Sequence, residues 1–248
     1  MKYQQKNIHC WGTVITIFAA SPHINEATFA KSFQKVEEYL LLVEQIFSRY
    51  LVDSEINRFI NGELPLNATS PLFKEVWKKC HFLKSLTQGL FDPWSLPSGY
   101  DPSGFVKGWA AENALKIISS YGIKHIQINA AGDLAVTGGY LPHTPWSIGI
   151  THPHLTKEIA KVIKITSGSI ATSGTYESGL HIYNPTTKTP AKGIISATVY
   201  GPDGGTADAL ATYLVVNGVK GVELFKQPYL KNYHGLLIPE GSNKIHSF

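Results

Sequence analysis

From Ile123 to Gly201 the chain reads as one strand after another, with turns where a parallel sheet would need crossover helices. The runs are IKHIQINAAGDLAVTG, PWSIGIT, EIAKVIKITSGSIATSG and the strand closing HIYNPTTKTPAKGIISATVYG. They alternate or are rich in β-branched residues, as strands are. Helical patterns crowd the first half instead, and a single late helix follows Gly204. That order suits an α+β fold, a largely antiparallel sheet flanked by helices, better than a regular βαβ alternation.

The first half predicts a strand over residues 8–20, IHCWGTVITIFAA, and a long helix from Asn25 to Ser48. Phe29, Phe33, Val36, Tyr39, Leu40, Val43 and Phe47 form that helix's apolar stripe and face a core. SRYLVDSEINRFI passes from a loop into a short helix capped by Asp53 or Ser54. Pro71 opens a second long helix that ends at Gly89. Residues 90–108 form an irregular loop, a common place for ligands, before the helix WAAENALKIISSYG. VKGVELF, YHGLLIP and NKIHSF close the chain as short elements, and no linker or repeat divides it. One domain over residues 1–248 is expected, large enough at 43% hydrophobic residues for a sizeable core.

Charge excludes little but is useful. The formal net charge is +4 with lysines and arginines scattered, without the basic stripe of a nucleic-acid binder. Cys10 and Cys80 are the only cysteines, too few for a zinc or disulfide framework, and read as buried free thiols. ITIFAA is too short and too late for a secretory segment, and no lipobox precedes Cys10. The chain as written reads as cytoplasmic, or periplasmic if a leader was trimmed. No run approaches the roughly eighteen apolar residues of a membrane span.

Three clusters bear chemistry. In GGTADALATYLVVNGV, Thr206 offers a helix cap, and Asp208 and Thr212 stand one turn apart on one face. Asp208 would gain from the helix dipole. A carboxylate and a hydroxyl are hard oxygen ligands suited to Mg²⁺, although Thr212 alone could bond back to the carbonyl of Asp208. In YDPSGFVKGWAAEN, Asp101, Gly104, Lys107 and Gly108 precede a helix, and Lys107 could meet a phosphate. In SGSIATSGTYESGLHIYNP, His181 follows small and hydroxylic residues, while Ser173 lacks a nucleophile elbow.

Taken in order, these segments resemble the ApbE-type flavin transferases. WGT at 11–13, SRYLVDSEINRFI, GLFDP at 89–93, DPSGFVKGWAAE, INAAGDLAVTG, SIATSGTYE, HIYNPTTKTP and SATVYGPDGGTADALAT each resemble a segment of that family. The last is the most specific. The resemblance implies an enzyme that binds FAD with Mg²⁺ and transfers FMN to a Thr or Ser hydroxyl of a target flavoprotein, releasing AMP. Implied targets are redox proteins, including subunits of membrane electron-transfer complexes. Hydrolysis of FAD to FMN and AMP, or FAD binding without turnover, are the alternatives.

The resemblance also places roles. Asp208, Thr212 and the backbone carbonyl of Gly104 are implied Mg²⁺ ligands. Trp11, Tyr50, Leu90, Phe91, Asp92, Asp101 and Lys107 fall on FAD-contact positions, and His181 falls on the base. The chain departs from the family pattern at Trp11 (usually Met), Pro102 and Ser103 (an apolar residue and Gly), and Asn184 (Asp). It departs again near Ala130 and Ala131, within a glycine pair, and at Lys188 (Gly). If the usual Asp orients the histidine ring, Asn184 weakens that base.

Overall fold

The computed structural model describes residues 1–248 apart from 154, 156, 157, 176–181 and 243. The strand read over residues 8–20 is in fact a hairpin, β1 (Lys2–Cys10) and β2 (Thr13–Ser21), turning at Trp11 and Gly12. Its N-terminal half escaped notice because KYQQKN is polar, and β1 is an edge strand largely open to solvent. α1 (Glu26–Phe47) follows, capped by Asn25, whose side chain accepts from the Thr28 amide. Its buried stripe includes Phe29, Phe33, Val36, Leu40, Val43 and Phe47.

The short α2 (Glu55–Ile60) is capped by Ser54, and α3 (Pro71–Leu86) by Ser70 with Pro71 in its first turn. α4 (Ser103–Ser120) begins six residues earlier than its apolar pattern announces. Then come β3 (His125–Ala130), β4 (Asp133–Thr137), β5 (Trp146–Thr151), β6 (Ile159–Ile165) and β7 (Gly168–Gly174). A tiny hairpin, β8 (Tyr183–Asn184) and β9 (Thr189–Pro190), precedes β10 (Ile194–Gly201) and α5 (Gly204–Asn217). A 3₁₀ stretch, Gly218–Lys226, leads to β11 (His234–Pro239) and β12 (His246–Ser247).

The main sheet has eight strands in the order β1-β2-β3-β4-β7-β10-β11-β12, and every pairing is antiparallel. The fold is α+β. One expectation needs correction: EIAKVIKI does not continue this sheet but pairs with β5 as a separate ribbon. Exposed Ile159 and Val162 on β6 give the strand an apolar look that the sequence alone could not distinguish from burial.

α4 packs on β3 and β4, and α5 on β7 and β10, so the two helices lie side by side across the middle of the sheet. Their closest approach is at Gly108 and Gly204, where a Cβ on either would collide with the other's carbonyl. Glycine is needed there because the backbones touch. α1 lies on the other flank of α4. One hydrophobic core runs through α1, α3, α4, α5 and the sheet, with Phe73, Phe105, Leu40 and Leu214 fully buried. Cys10 and Cys80 are buried free thiols within it.

Candidate active site

Two cavities adjoin where the end of α1 and the starts of α4 and α5 meet the loop before α4. One, of about 520 Å³, is lined by Tyr50, Leu90, Phe91, Asp92, Asp101, Gly104, Lys107, Asp208 and Thr212. Thr172 and Ser173 of β7, and Tyr183 and Pro185 of the β8–β9 hairpin, complete its wall. The other, of about 310 Å³, is lined by Trp11, Val43, Phe47 and Val106 and shares Tyr50, Asp101, Ser103 and Lys107 with the first. Every site residue anticipated from the sequence lines one or both cavities except His181, which lies outside the described residues.

The loop holding Phe91, Asp92 and Asp101 has no regular structure, and its shape is set by an aromatic base. Trp94 meets Trp77 edge-on at 4.9 Å and stacks on Tyr100 at 5.0 Å. The Asp101 amide donates to the Pro93 carbonyl at 2.8 Å, and the Phe91 amide donates to the Thr87 hydroxyl at 3.1 Å. Asp92 is held at both oxygens: Oδ1 accepts from the Trp94 amide, and Oδ2 pairs with Lys84 at 2.9 Å. Tyr50, by contrast, stands 95% exposed at the cavity mouth.

Gly104, Lys107 and Gly108 lie inside the first turns of α4, not in a loop before it. Pro102 serves as cap without a side-chain bond, its carbonyl accepting from the Phe105 and Val106 amides at 2.9 and 3.0 Å. A cap of that kind has no Ser, Thr or Asp signature, which is why the pattern hid it. Gly104 has a ψ of 23°, off the helical value, so the backbone is bent at the position facing Thr212.

α5 also starts differently from expectation. Its cap is Asp203, accepting from the Thr206 amide at 2.7 Å, while the Gly204 amide donates to Glu112 of α4 at 2.7 Å. Thr206 is therefore within the helix. Asp208 falls a full turn in, where the dipole has faded. Burial dominates instead. Asp208 is only 4% exposed, and its carboxyl pKa is pushed well above the ordinary range by burial and then by the neighbouring Asp133 carboxyl. The Lys107 ammonium and the Gly108 amide pull it back down.

The Asp133 carboxyl neighbours that of Asp208, and Oδ2 of Asp208 has no hydrogen-bond partner among the described residues. An orphaned buried carboxylate oxygen is costly and asks for a missing partner. Thr212 does not bond back to its own helix; its hydroxyl pairs with Ser173 Oγ at 3.1 Å. A Cβ on Gly104 would stand 3.0 Å from Thr212 Oγ1, and Asp208 lines the same cavity as both. Among the described residues no group of three or more His, Cys, Asp or Glu side chains could hold a metal. The donors here are of mixed type, one carboxylate, one hydroxyl and one carbonyl, and such hard oxygens fit a Mg²⁺ ion.

The departures have local explanations. Ala131 and Lys188 stand at φ values of 53° and 57°, in the left-handed region that favours the family's glycine. Asn184 Oδ1 accepts from the Thr186 and Thr187 amides at 2.9 and 3.2 Å, capping the hairpin turn as an aspartate would. Its oxygen serves the turn, and the His181 it was expected to affect lies outside the described residues.

Three contributors are not apparent from the sequence. Asp133 reads only as part of a strand, though a carboxylate opening a buried strand after a tight turn is a signal. Ser173 draws notice only as a nucleophile, whereas the structure pairs it with Thr212. Glu44 was hidden on the polar side of α1, and its bond to Trp11 spans 33 residues.

The comparisons with known proteins agree with this geometry. The ApbE family model matches residues 98–234, more than half of the chain, including α4, β7 and α5. A FAD:protein FMN transferase of Vibrio cholerae is 32% identical over 128 residues, 48% of this chain and 38% of that protein. One of Rhodobacter capsulatus is 31% identical over 126 residues, 48% of this chain and 24% of that protein. The chain thus spans well under two thirds of those relatives' length. Among solved structures, the flavin transferase ApbE of Vibrio cholerae superposes with a TM-score of 0.85 at 22% identity, covering 100% of this chain and 96% of that one. The ApbE protein of Thermotoga maritima does so with a TM-score of 0.84 at 24% identity, covering 99% and 97%. With its fold matched over nearly the whole chain and its α4–α5 site inside the segment that the family model covers, the chain belongs to the ApbE family.

Proposed function

We propose that residues 1–248 act as one Mg²⁺-dependent FAD:protein FMN transferase. The carrying observation is the orphaned Oδ2 of Asp208, beside Thr212 and Gly104, in a polar cavity that opens onto a second, more apolar one. Two joined cavities of that contrast suit a dinucleotide, with phosphates in the polar part and a ring in the apolar part.

In the reaction, the acceptor Thr or Ser oxygen bonds to the phosphorus of the FMN half of FAD. The bond from that phosphorus to the bridging oxygen breaks, and AMP leaves with the electron pair. The hydroxyl proton goes to a base, a role assigned to His181 on its family resemblance. Asp208, Thr212 and the Gly104 carbonyl would hold Mg²⁺, which supplies neutralisation of charge on the phosphoryl oxygens. Lys107 brings a fixed positive charge to the same place. Tyr50 and Phe91 offer aromatic surface, and Asp101 anchors the start of α4 through the Ser103 amide at 3.0 Å. The acceptor is a redox flavoprotein. No helix among the described residues is long and apolar enough to cross a membrane.

Mass spectrometry of a candidate acceptor after incubation with the protein, FAD and Mg²⁺ tests this directly. An added mass equal to FMN, together with AMP release, is expected. FMN and AMP formed without an acceptor would identify a hydrolase. Tight FAD binding with no turnover in either case would identify a binding protein.

A further inference from the structure

The turn joining β1 to β2 carries a bulky side chain where the backbone resists one. Trp11 and Gly12 have φ values of 57° and 67°, the pair of positive angles of a type I′ hairpin turn. Asn, Asp and Gly are the usual residues there, and a bulky side chain in this region is strained. Strain that persists beside a cavity points to use.

Two hydrogen bonds offset the strain, and both go to α1. The Trp11 amide donates to Glu44 Oε1 at 2.7 Å, and the indole Nε1–H donates to the Leu40 carbonyl at 3.2 Å. Leu40 and Glu44 are one helical turn apart, so backbone and ring are pinned to the same stripe. The pinned indole is a wall of the 310 Å³ cavity, in company with Val43, Phe47, Val106 and the exposed Tyr50. An electron-rich, immobilised indole in this cavity, whose wall also carries Glu44, Arg49, Asp101 and Lys107, suits a flat, electron-poor heteroaromatic ring with polar edges, and the flavin ring system is one.

Resting on the transferase reading above, we propose that Glu44 is a positioning residue and Trp11 a specificity residue. The carboxylate holds the strained turn so that the indole stacks against the flavin ring of FAD. Ring recognition in this chain then depends on a side chain that acts through another.

FMN fluorescence provides the test, because a stacked indole quenches it. Wild-type protein should quench FMN on binding. Glu44→Leu, which removes the acceptor, should weaken FMN affinity about tenfold, equivalent to about 1.4 kcal/mol, and lose most of the quenching. Glu44→Gln keeps an oxygen for the Trp11 amide and should restore affinity to within about threefold of wild type. With FAD as substrate, the Leu variant should raise KM and leave kcat unchanged, the mark of lost uniform binding. Trp11→Asn is the second variant, since asparagine is at ease in this turn: its Tm should equal or exceed wild type while quenching disappears. Wild-type quenching and affinity in folded Glu44→Leu, or in Trp11→Asn, would overturn the proposal. The outcomes separate from those of the transferase reading. FMN binding sensitive to both residues with no acceptor ever modified would sink the transferase alone, and acceptor modification with quenching indifferent to both would sink this inference alone.

Discussion

Asp208 concentrates the chemistry of the site in one side chain. It is buried, touches a second carboxyl, and leaves one oxygen without a partner among the described residues. Asp208→Ala should reduce FMN transfer by about 10²–10³-fold, the scale of losing a major electrostatic contributor. Isothermal titration should show its FAD affinity no longer responding to Mg²⁺; wild-type transfer by this variant would remove the metal assignment. Ala131 makes a milder point. At a φ of 53° it bears strain that glycine would relieve, so Ala131→Gly should stabilise the protein by about 0.5 kcal/mol after glycine's greater chain entropy is counted. Urea denaturation reads that directly, and a lower midpoint would contradict it. At this scale the sequence was most legible where residue type and spacing coincide, as in the Asp208–Thr212 pair. It was least legible where partners meet only in space. Asp133 and Glu44 reach Asp208 and Trp11 from distant parts of the chain, and no local pattern announces such pairs.

Elements place these residues. α4 brings Gly104 and Lys107, α5 brings Asp208 and Thr212, and the glycine contact at 108 and 204 sets the distance between them. Gly108→Ala forces a methyl against backbone and should destabilise by about 3 kcal/mol, as overpacking at a rigid contact does. The same variant should lose Mg²⁺ response even where it is folded, since the ligand-bearing helices move apart. Asp203→Ala removes the cap of α5 and should cost about 1 kcal/mol, measurable as a drop in thermal midpoint; an unchanged midpoint would show that Glu112 suffices to cap the helix. Strands and long helices were readable because alternation and the apolar stripe follow burial. Boundaries failed where the cap is unusual, as at Pro102, and where an edge strand is polar, as in β1. The β5–β6 ribbon failed for another reason: periodicity reports that a strand exists, not which neighbour it joins.

Across the whole molecule, the core also governs the response to alkali. Burial pushes the thiols of Cys10 and Cys80 up from 9.0 to about 12, with nearby acidic groups adding to the effect. A raised thiol pKa favours the folded state fully below pH 9.0 and loses that contribution as pH climbs toward about 12. Stability should therefore fall across that window, and iodoacetamide at pH 8.5 should label neither cysteine until denaturant is added, since thiolate is the reactive form. Rapid labelling of the native protein would contradict the burial of both. The abutting backbones of α4 and α5 have a kinetic consequence as well. Two rods welded at a point where not even a methyl group fits cannot act as jaws. If the chain acts as proposed, access for a nucleotide and an acceptor falls to the other walls of the cavity, the Tyr50 loop, the span from Asp92 to Gly99 and the small β8–β9 hairpin that Lys188 tethers to Ser95.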